Sequence, residues 1–109
     1  MAIELSGGSL NRKIEDDVIV KGMEPFYFKG IITGSLTATE LANVSFYGII
    51  NGDIIIEKYC KVVMRGIVNG SIKNQGELKV YGIVNGDVIN EGDVDMHEDA
   101  VVGGEVKNL

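Results

Sequence analysis

The residues able to do chemistry are few and scattered. The chain of 109 residues has one histidine, His97, and one cysteine, Cys60. His97 lies in "DMHEDA", close to Asp93, Asp95, Glu98 and Asp99. Acids this dense invite a cation, and Asp16 beside Asp17 repeats the theme. Calcium-binding β-rolls, however, use a strict "GGxGxD" nonapeptide that is absent here. A solvated acidic face is the expected reading, with His97 solvated in a loop or corner. Cys60 has no nearby His or Lys-rich stretch to stabilise a thiolate, so a structural thiol is expected. The last candidate is a Gly-rich eight-mer, "YGIINGDI" at 47–54, "RGIVNGSI" at 65–72 and "YGIVNGDV" at 81–88. A phosphate-binding loop needs a Gly-rich turn, then Lys-Ser/Thr and a helix. These copies lack that Lys and run on into more strand-like sequence. No catalytic, cofactor-binding or metal-ligating residue is expected, and no enzyme.

Bulk properties narrow the field further. A net charge of −6 without a basic block disfavours nucleic acid, whose phosphates are bound by clustered Lys and Arg. The chain is 45% hydrophobic but only 6% aromatic, so its core must be built mostly from Ile, Val and Leu. The single Cys fits a reducing compartment. The opening "MAIELSGGSLNRK" has no basic and apolar pair of regions, so no signal peptide is expected. No apolar run approaches the roughly 18 residues of a membrane helix.

The elements that carry these residues repeat. Gly34, Gly52, Gly70, Gly86 and Gly104 mark a period of 18, shortened once to 16 between Gly70 and Gly86. Val18, Leu36, Ile54, Ile72, Val88 and Val106 recur at a matching position. The turn after Gly70 is two residues short, and Met96 to Ala100 is two residues long. Within each copy the apolar residues alternate. Val44, Phe46, Ile50, Ile54 and Ile56 share one parity, as do Val62, Met64, Val68 and Ile72, and then Leu78, Val80, Val84 and Val88. Period two with Ile and Val enrichment means strands with one buried face. A coil of about 18 residues built from short strands is one turn of a parallel β-solenoid. The expected fold is all-β, a right-handed, triangular parallel β-helix of about five coils. A short tail at residues 1–13 should precede a β-helix domain at 14–109. Stacked coils rise about 4.8 Å each, which makes a rod roughly 25 Å long. Asn51, Asn69 and Asn85 should stack as a ladder of about three rungs. The inward glycines should leave room where the interior is narrow and permit corner dihedrals.

The tandem "G-[IV]-[IV]-N-G-[DS]-[IV]" units, followed by "x-x-G-x-[LV]-x-[VM]", resemble the bactofilins, bacterial polymer-forming cytoskeletal proteins. The resemblance runs from about Asp16 to Val106. It implies a right-handed β-helix and nucleotide-independent, end-to-end assembly into filaments. It also implies a structural scaffold in the cytoplasm, often near the membrane. Partners would be other copies of the chain, other bactofilin-like chains or membrane-associated proteins, with no small-molecule substrate. The rival reading is a left-handed hexapeptide-repeat solenoid, an acyltransferase or carbonic-anhydrase-like enzyme, or a ligand-binding solenoid. Its period is also 18. Those carbonic anhydrases need three His ligands, and the acyltransferases usually carry a long excursion loop and a C-terminal helix, none of which is present.

Two surfaces follow from the repeat. Solenoid ends expose unpaired strand edges unless capped. Assembly is expected through Val18, Ile19 and Val20 at one end and Val101, Val102 and Val106 at the other. Separately, Ile31, Ile49, Ile67, Ile83 and Val101 fall on the outward parity, flanked by Tyr47, Arg65 and Tyr81. They should form an exposed apolar stripe suited to lateral contact. A switch of parity at a corner would instead turn out their neighbours Ile32, Ile50, Val68, Val84 and Val102.

Overall fold

Alternating Ile and Val dictate strands, and the frequent Gly and Asn keep those strands to two to four residues each. The computed structural model describes residues 2–109 and is all-β. In chain order the first coil is β1 (Ile3–Leu5), β2 (Gly8–Leu10) and β3 (Lys13–Ile14). The second is β4 (Val18–Lys21), β5 (Pro25–Phe28) and β6 (Ile31–Ile32). The third is β7 (Leu36–Thr39), β8 (Asn43–Phe46) and β9 (Ile49–Ile50), and the fourth is β10 (Ile54–Ile56), β11 (Lys61–Met64) and β12 (Ile67–Val68). The fifth is β13 (Ile72–Asn74), β14 (Glu77–Val80) and β15 (Ile83–Val84), and the sixth is β16 (Val88–Asn90), β17 (Asp93–Met96) and β18 (Val101–Val102). A further strand, β19 (Val106–Asn108), begins another turn.

Every third strand joins the same parallel sheet, giving one sheet of seven strands and two of six. The molecule is therefore a three-walled β-solenoid of about six coils, one more than the repeat alone suggests. It measures 29 × 24 × 24 Å. The register stacks like on like. Ile54 lies between Leu36 and Ile72, and Val62 between Val44 and Leu78. Ile50, Ile54, Val62, Met64, Val68, Ile72 and Val84 are each at most 1% exposed, so the inward parity holds coil after coil. Phe28 stacks on Phe46 in the buried interior with ring centroids 6.2 Å apart.

The segment expected as a tail, over its described residues from Ile3 to Lys13, is part of the solenoid. Ile3, Glu4 and Leu5 pair with Val18, Ile19 and Val20, and Gly8 to Leu10 pair with Phe26 to Phe28. The first coil escapes the repeat because it is short. Ile3 faces Val18, fifteen positions on. Its corner is tightened by Gly7 and Gly8, with φ of 64° and 88°, a region that costs a side chain strain.

The glycines of the eight-mer leave room, as expected, but along the rod, and they need no special corner dihedrals. None of them has positive φ; among the described glycines only Gly7, Gly8 and Gly22 do. At these bends the Cα–Cβ direction runs along the rod, into the wall of the coil below. A Cβ on Gly48 would lie 1.9 Å from the Gly30 carbonyl oxygen, and one on Gly66 as close to that of Gly48. Only hydrogen fits there at rung spacing.

Two kinds of corner join the seven-stranded wall to the next. In the longer kind, Ala42 and Cys60 turn inward and are 1% and 0% exposed, and Cys60 N–H donates to the Glu57 carbonyl at 3.2 Å. Cys60 is thus the buried corner thiol expected. The shorter kind, Gln75–Gly76 and Glu91–Gly92, lacks two residues, and this is where the period contracts to 16. Asn74 and Asn90 fill the space left. Gly76 N–H donates to Asn74 Oδ1 at 3.0 Å, and Gly92 N–H to Asn90 Oδ1 at 3.1 Å. Asn74 Nδ2 donates to Asn90 Oδ1 at 2.9 Å and to the Asp93 carbonyl at 2.8 Å, while Asn90 Nδ2 donates to Asn108 Oδ1 at 2.9 Å. The two missing residues at the other irregularity reappear at 97–100, between β17 and β18.

Candidate functional site

The wall formed by β3, β6, β9, β12, β15 and β18 carries a run of exposed apolar surface. Its strands are only two residues long, so one residue of each points in and one out. Ile32, Ile50, Val68 and Val84 point in at 0% exposure. Ile31, Ile83 and Val101 point out, 37%, 39% and 54% exposed, and Ile49 and Ile67 lie between them, partly exposed. The register places these five in one column, Ile31 beside Ile49, then Ile67, Ile83 and Val101. The stripe is therefore outward, and the parity switch does not occur.

A second column flanks it. Arg65 lies over both its neighbours, its guanidinium carbon 5.4 Å from the Tyr47 ring centroid and 5.1 Å from that of Tyr81. It also donates from Nη1 to the Tyr47 hydroxyl. Tyr81 in turn meets the His97 ring at 4.9 Å between centroids. A guanidinium held between two aromatic faces is ordered by cation–π attraction and loses little entropy on making contacts. Between the columns lies the glycine ladder, so the two walls and the bare backbone enclose an open trough. Gly30, Gly48, Gly66 and Gly82 form its floor, and Asp99 stands at one end.

On the other side of the stripe runs the asparagine ladder expected from sequence. Asn69 Nδ2 donates to Asn51 Oδ1 at 2.9 Å, and Asn85 Nδ2 to Asn69 Oδ1 at 2.8 Å. The acidic or hydroxyl residue at the seventh position of each eight-mer also acts between coils. Asp17 Oδ1 accepts from Ser35 N–H at 2.9 Å, Ser35 Oγ from Asp53 N–H at 3.0 Å, and Asp53 Oδ1 from Ser71 N–H at 2.8 Å. Ser71 and Asp87 continue the ladder to Asp87 and Glu105. These oxygens accept hydrogen bonds from backbone of the same chain, which accounts for the Asp/Ser alternation as a corner clamp.

The chemistry-bearing residues do not converge. Among the described residues no three His, Cys, Asp or Glu side chains gather as a metal site would require. His97 Nδ1 accepts from Asp99 N–H at 3.2 Å, a local turn contact in the lengthened corner. Outside the trough, Lys21 has a shifted protonation equilibrium. The Glu4 carboxylate, by hydrogen bond and then by charge, raises that ammonium above its ordinary value, with Glu40 adding to the effect. This is an inter-strand pair between β4 and β1, outside the trough.

The expected end contacts are half displaced. Val18, Ile19 and Val20 lie in β4, which β1 covers on one side and β7 on the other. Val18 and Val20 are 1% and 0% exposed. They are interior wall, because the unrecognised first coil sits over them. Ile3, Leu5 and Leu10 occupy the outermost position instead and are partly buried. At the other end Val106 is 43% exposed although Val88, its partner one coil below, is fully buried. Val102, Val94 and Met96 are likewise only partly buried, where Val84, Leu78 and Val80 beneath them are at most 1% exposed. No helix among the described residues is long and apolar enough to cross a membrane. Compared with known protein families, curated proteins and solved structures, the chain matches none.

Proposed function

We propose that this protein is a self-assembling structural scaffold, a bactofilin-like β-solenoid whose copies stack end to end into nucleotide-independent filaments. The observation that carries this reading is the loss of burial at the outermost coils. Core columns that are sealed throughout the interior end in only partly buried Ile3, Leu5 and Leu10 on one side and in partly buried Val94, Met96 and Val102 with the 43% exposed Val106 on the other. The strands there keep the parallel, in-register geometry of an internal coil, so another coil fits without a new fold. Stacking removes apolar surface from water and satisfies free strand edges together, the two terms that favour association most. Each coil touches only its neighbours, so a rod of many copies is bonded like one long solenoid. The sequence resemblance to bactofilins points the same way. On this reading the protein carries no reaction, works in the cytoplasm, and has copies of itself, related solenoids or membrane-associated proteins as partners.

Sedimentation tests the proposal. The chain should form species that grow with concentration at near-physiological salt. Val106→Lys should shift them strongly toward small species, while Val18→Ala, inside the wall, should lower stability and leave assembly of the folded fraction intact. A concentration-independent monomer would sink the idea.

A further inference from the structure

We propose that the trough on the short-strand wall is a lateral docking surface for a second copy of this chain, laid antiparallel. This contact is separate from end-to-end stacking and does not rest on it. The trough is lined by isoleucine, tyrosine and bare glycine around Arg65, with Asp99 at one end. Arg12, whose backbone lies beneath Gly30, and Lys13, paired with Glu15 at 3.1 Å, mark the start of the wall, and Glu98 and Asp99 its far end. Antiparallel apposition sets the cationic end of one copy against the acidic end of the other. Parallel apposition sets like against like, at a cost that selects against it.

The register is also determined. Antiparallel copies about a two-fold axis across the wall meet column on column, Ile against Ile. If the axis passed through the Ile67 rung, Arg65 would meet its own symmetry mate, cation on cation. If it passes half a rung away, between Ile49 and Ile67, each Arg65 meets the partner's Tyr47 and each Ile49 the partner's Ile67. That register removes the repulsion and engages all six rungs. Isoleucines ringed by Tyr and Arg are the composition of a contact hot spot. The wall has six strands, so it runs about 24 Å along the rod at about 4.8 Å per step. It offers on the order of 1,200 Å² in total over both copies, the lower bound for a specific stable interface.

The test uses the full chain carrying Val106→Lys, so that end contacts do not mask a dimer. Sedimentation velocity from about 5 to 500 μM should show a monomer–dimer equilibrium. Ile67→Lys, and separately Ile49→Lys, should each weaken it at least tenfold with circular dichroism unchanged. Arg12→Glu should weaken it severalfold, and Arg12→Glu with Asp99→Arg should restore it to within about threefold. A monomer throughout, or a dimer indifferent to Ile67→Lys and Ile49→Lys, overturns the proposal. A dimer that those variants abolish but the charge swap fails to restore overturns the antiparallel arrangement. Failure of end-to-end stacking in the unsubstituted chain would leave each of these outcomes readable.

Discussion

Asn74 and Asn69 sit in two ladders of the same chemistry, yet their loss should differ by several-fold. Asn74 is 0% exposed, and its side chain serves Gly76 N–H, Asn90 Oδ1 and the Asp93 carbonyl. Asn74→Ala strands the Gly76 donor inside the corner, which costs about 1–3 kcal/mol. The vacated volume adds about 1–2 kcal/mol, because the rungs above and below hold the corner open. The sum is roughly 2–5 kcal/mol, or about 8–40 °C in melting temperature for a domain of this size. Asn69 is exposed, and water replaces what Asn69→Ala removes, at about 0.5–1 kcal/mol. Calorimetry or urea unfolding of both variants decides between them. Lengthening the Gln75–Gly76 corner by two residues, after the Glu57–Cys60 pattern, should recover much of the Asn74→Ala loss. Equal costs for the two asparagines would refute the corner argument, since Asn74 is buried and holds backbone groups of the corner whereas Asn69 is exposed and bonds only neighbouring asparagine side chains.

The repeat was legible because a solenoid writes its geometry into the sequence at a fixed spacing. The inward parity of Ile50, Ile54, Val68 and Val84 and the Asn51–Asn69–Asn85 ladder all follow from period two within period 18. So does the outward Ile stripe, since a two-residue strand has one residue on each side. The first coil was illegible for the converse reason. Ile3 to Leu10 lacks the eight-mer, and its Gly7–Gly8 corner shortens the step to Val18, so no marker glycine announces it. That omission also misplaced the outer surface onto Val18, Ile19 and Val20. Asn74 and Asn90 were visible as "NQG" and "NEG", but their burial depends on the two-residue deletion beside them. A polar residue on the inward parity next to a shortened corner is the signal that identifies them. The glycines were read correctly as spatial but not in direction, because a Cβ aimed along the rod meets only the next coil, which periodicity does not show.

Two further outcomes follow. Gly48→Ala would bring its Cβ to 1.9 Å from the Gly30 oxygen. It must open the wall there, break the Ile49 N–H bond to that oxygen and cost about 3 kcal/mol or more; Gly22→Ala, with open space at φ 89°, should cost only about 1–2 kcal/mol by urea unfolding. The Lys21–Glu4 pair should tie β1 to β4 fully below the ordinary ammonium value of 10.5 and loosen as pH rises through the raised one. Resonances of Ile3 to Leu5 should therefore hold steady from about pH 7 to 10 and shift above that range, and Lys21→Met should remove the alkaline change.

The most direct measurement of the central claim is electron microscopy of the purified chain, with diffraction from aligned material. Stacked solenoids predict unbranched filaments built on a strand about 24 Å wide, without added nucleotide, and a meridional reflection near 4.8 Å from coils continuing across each junction. Discrete particles of fixed size at every concentration, with no such reflection, would contradict it.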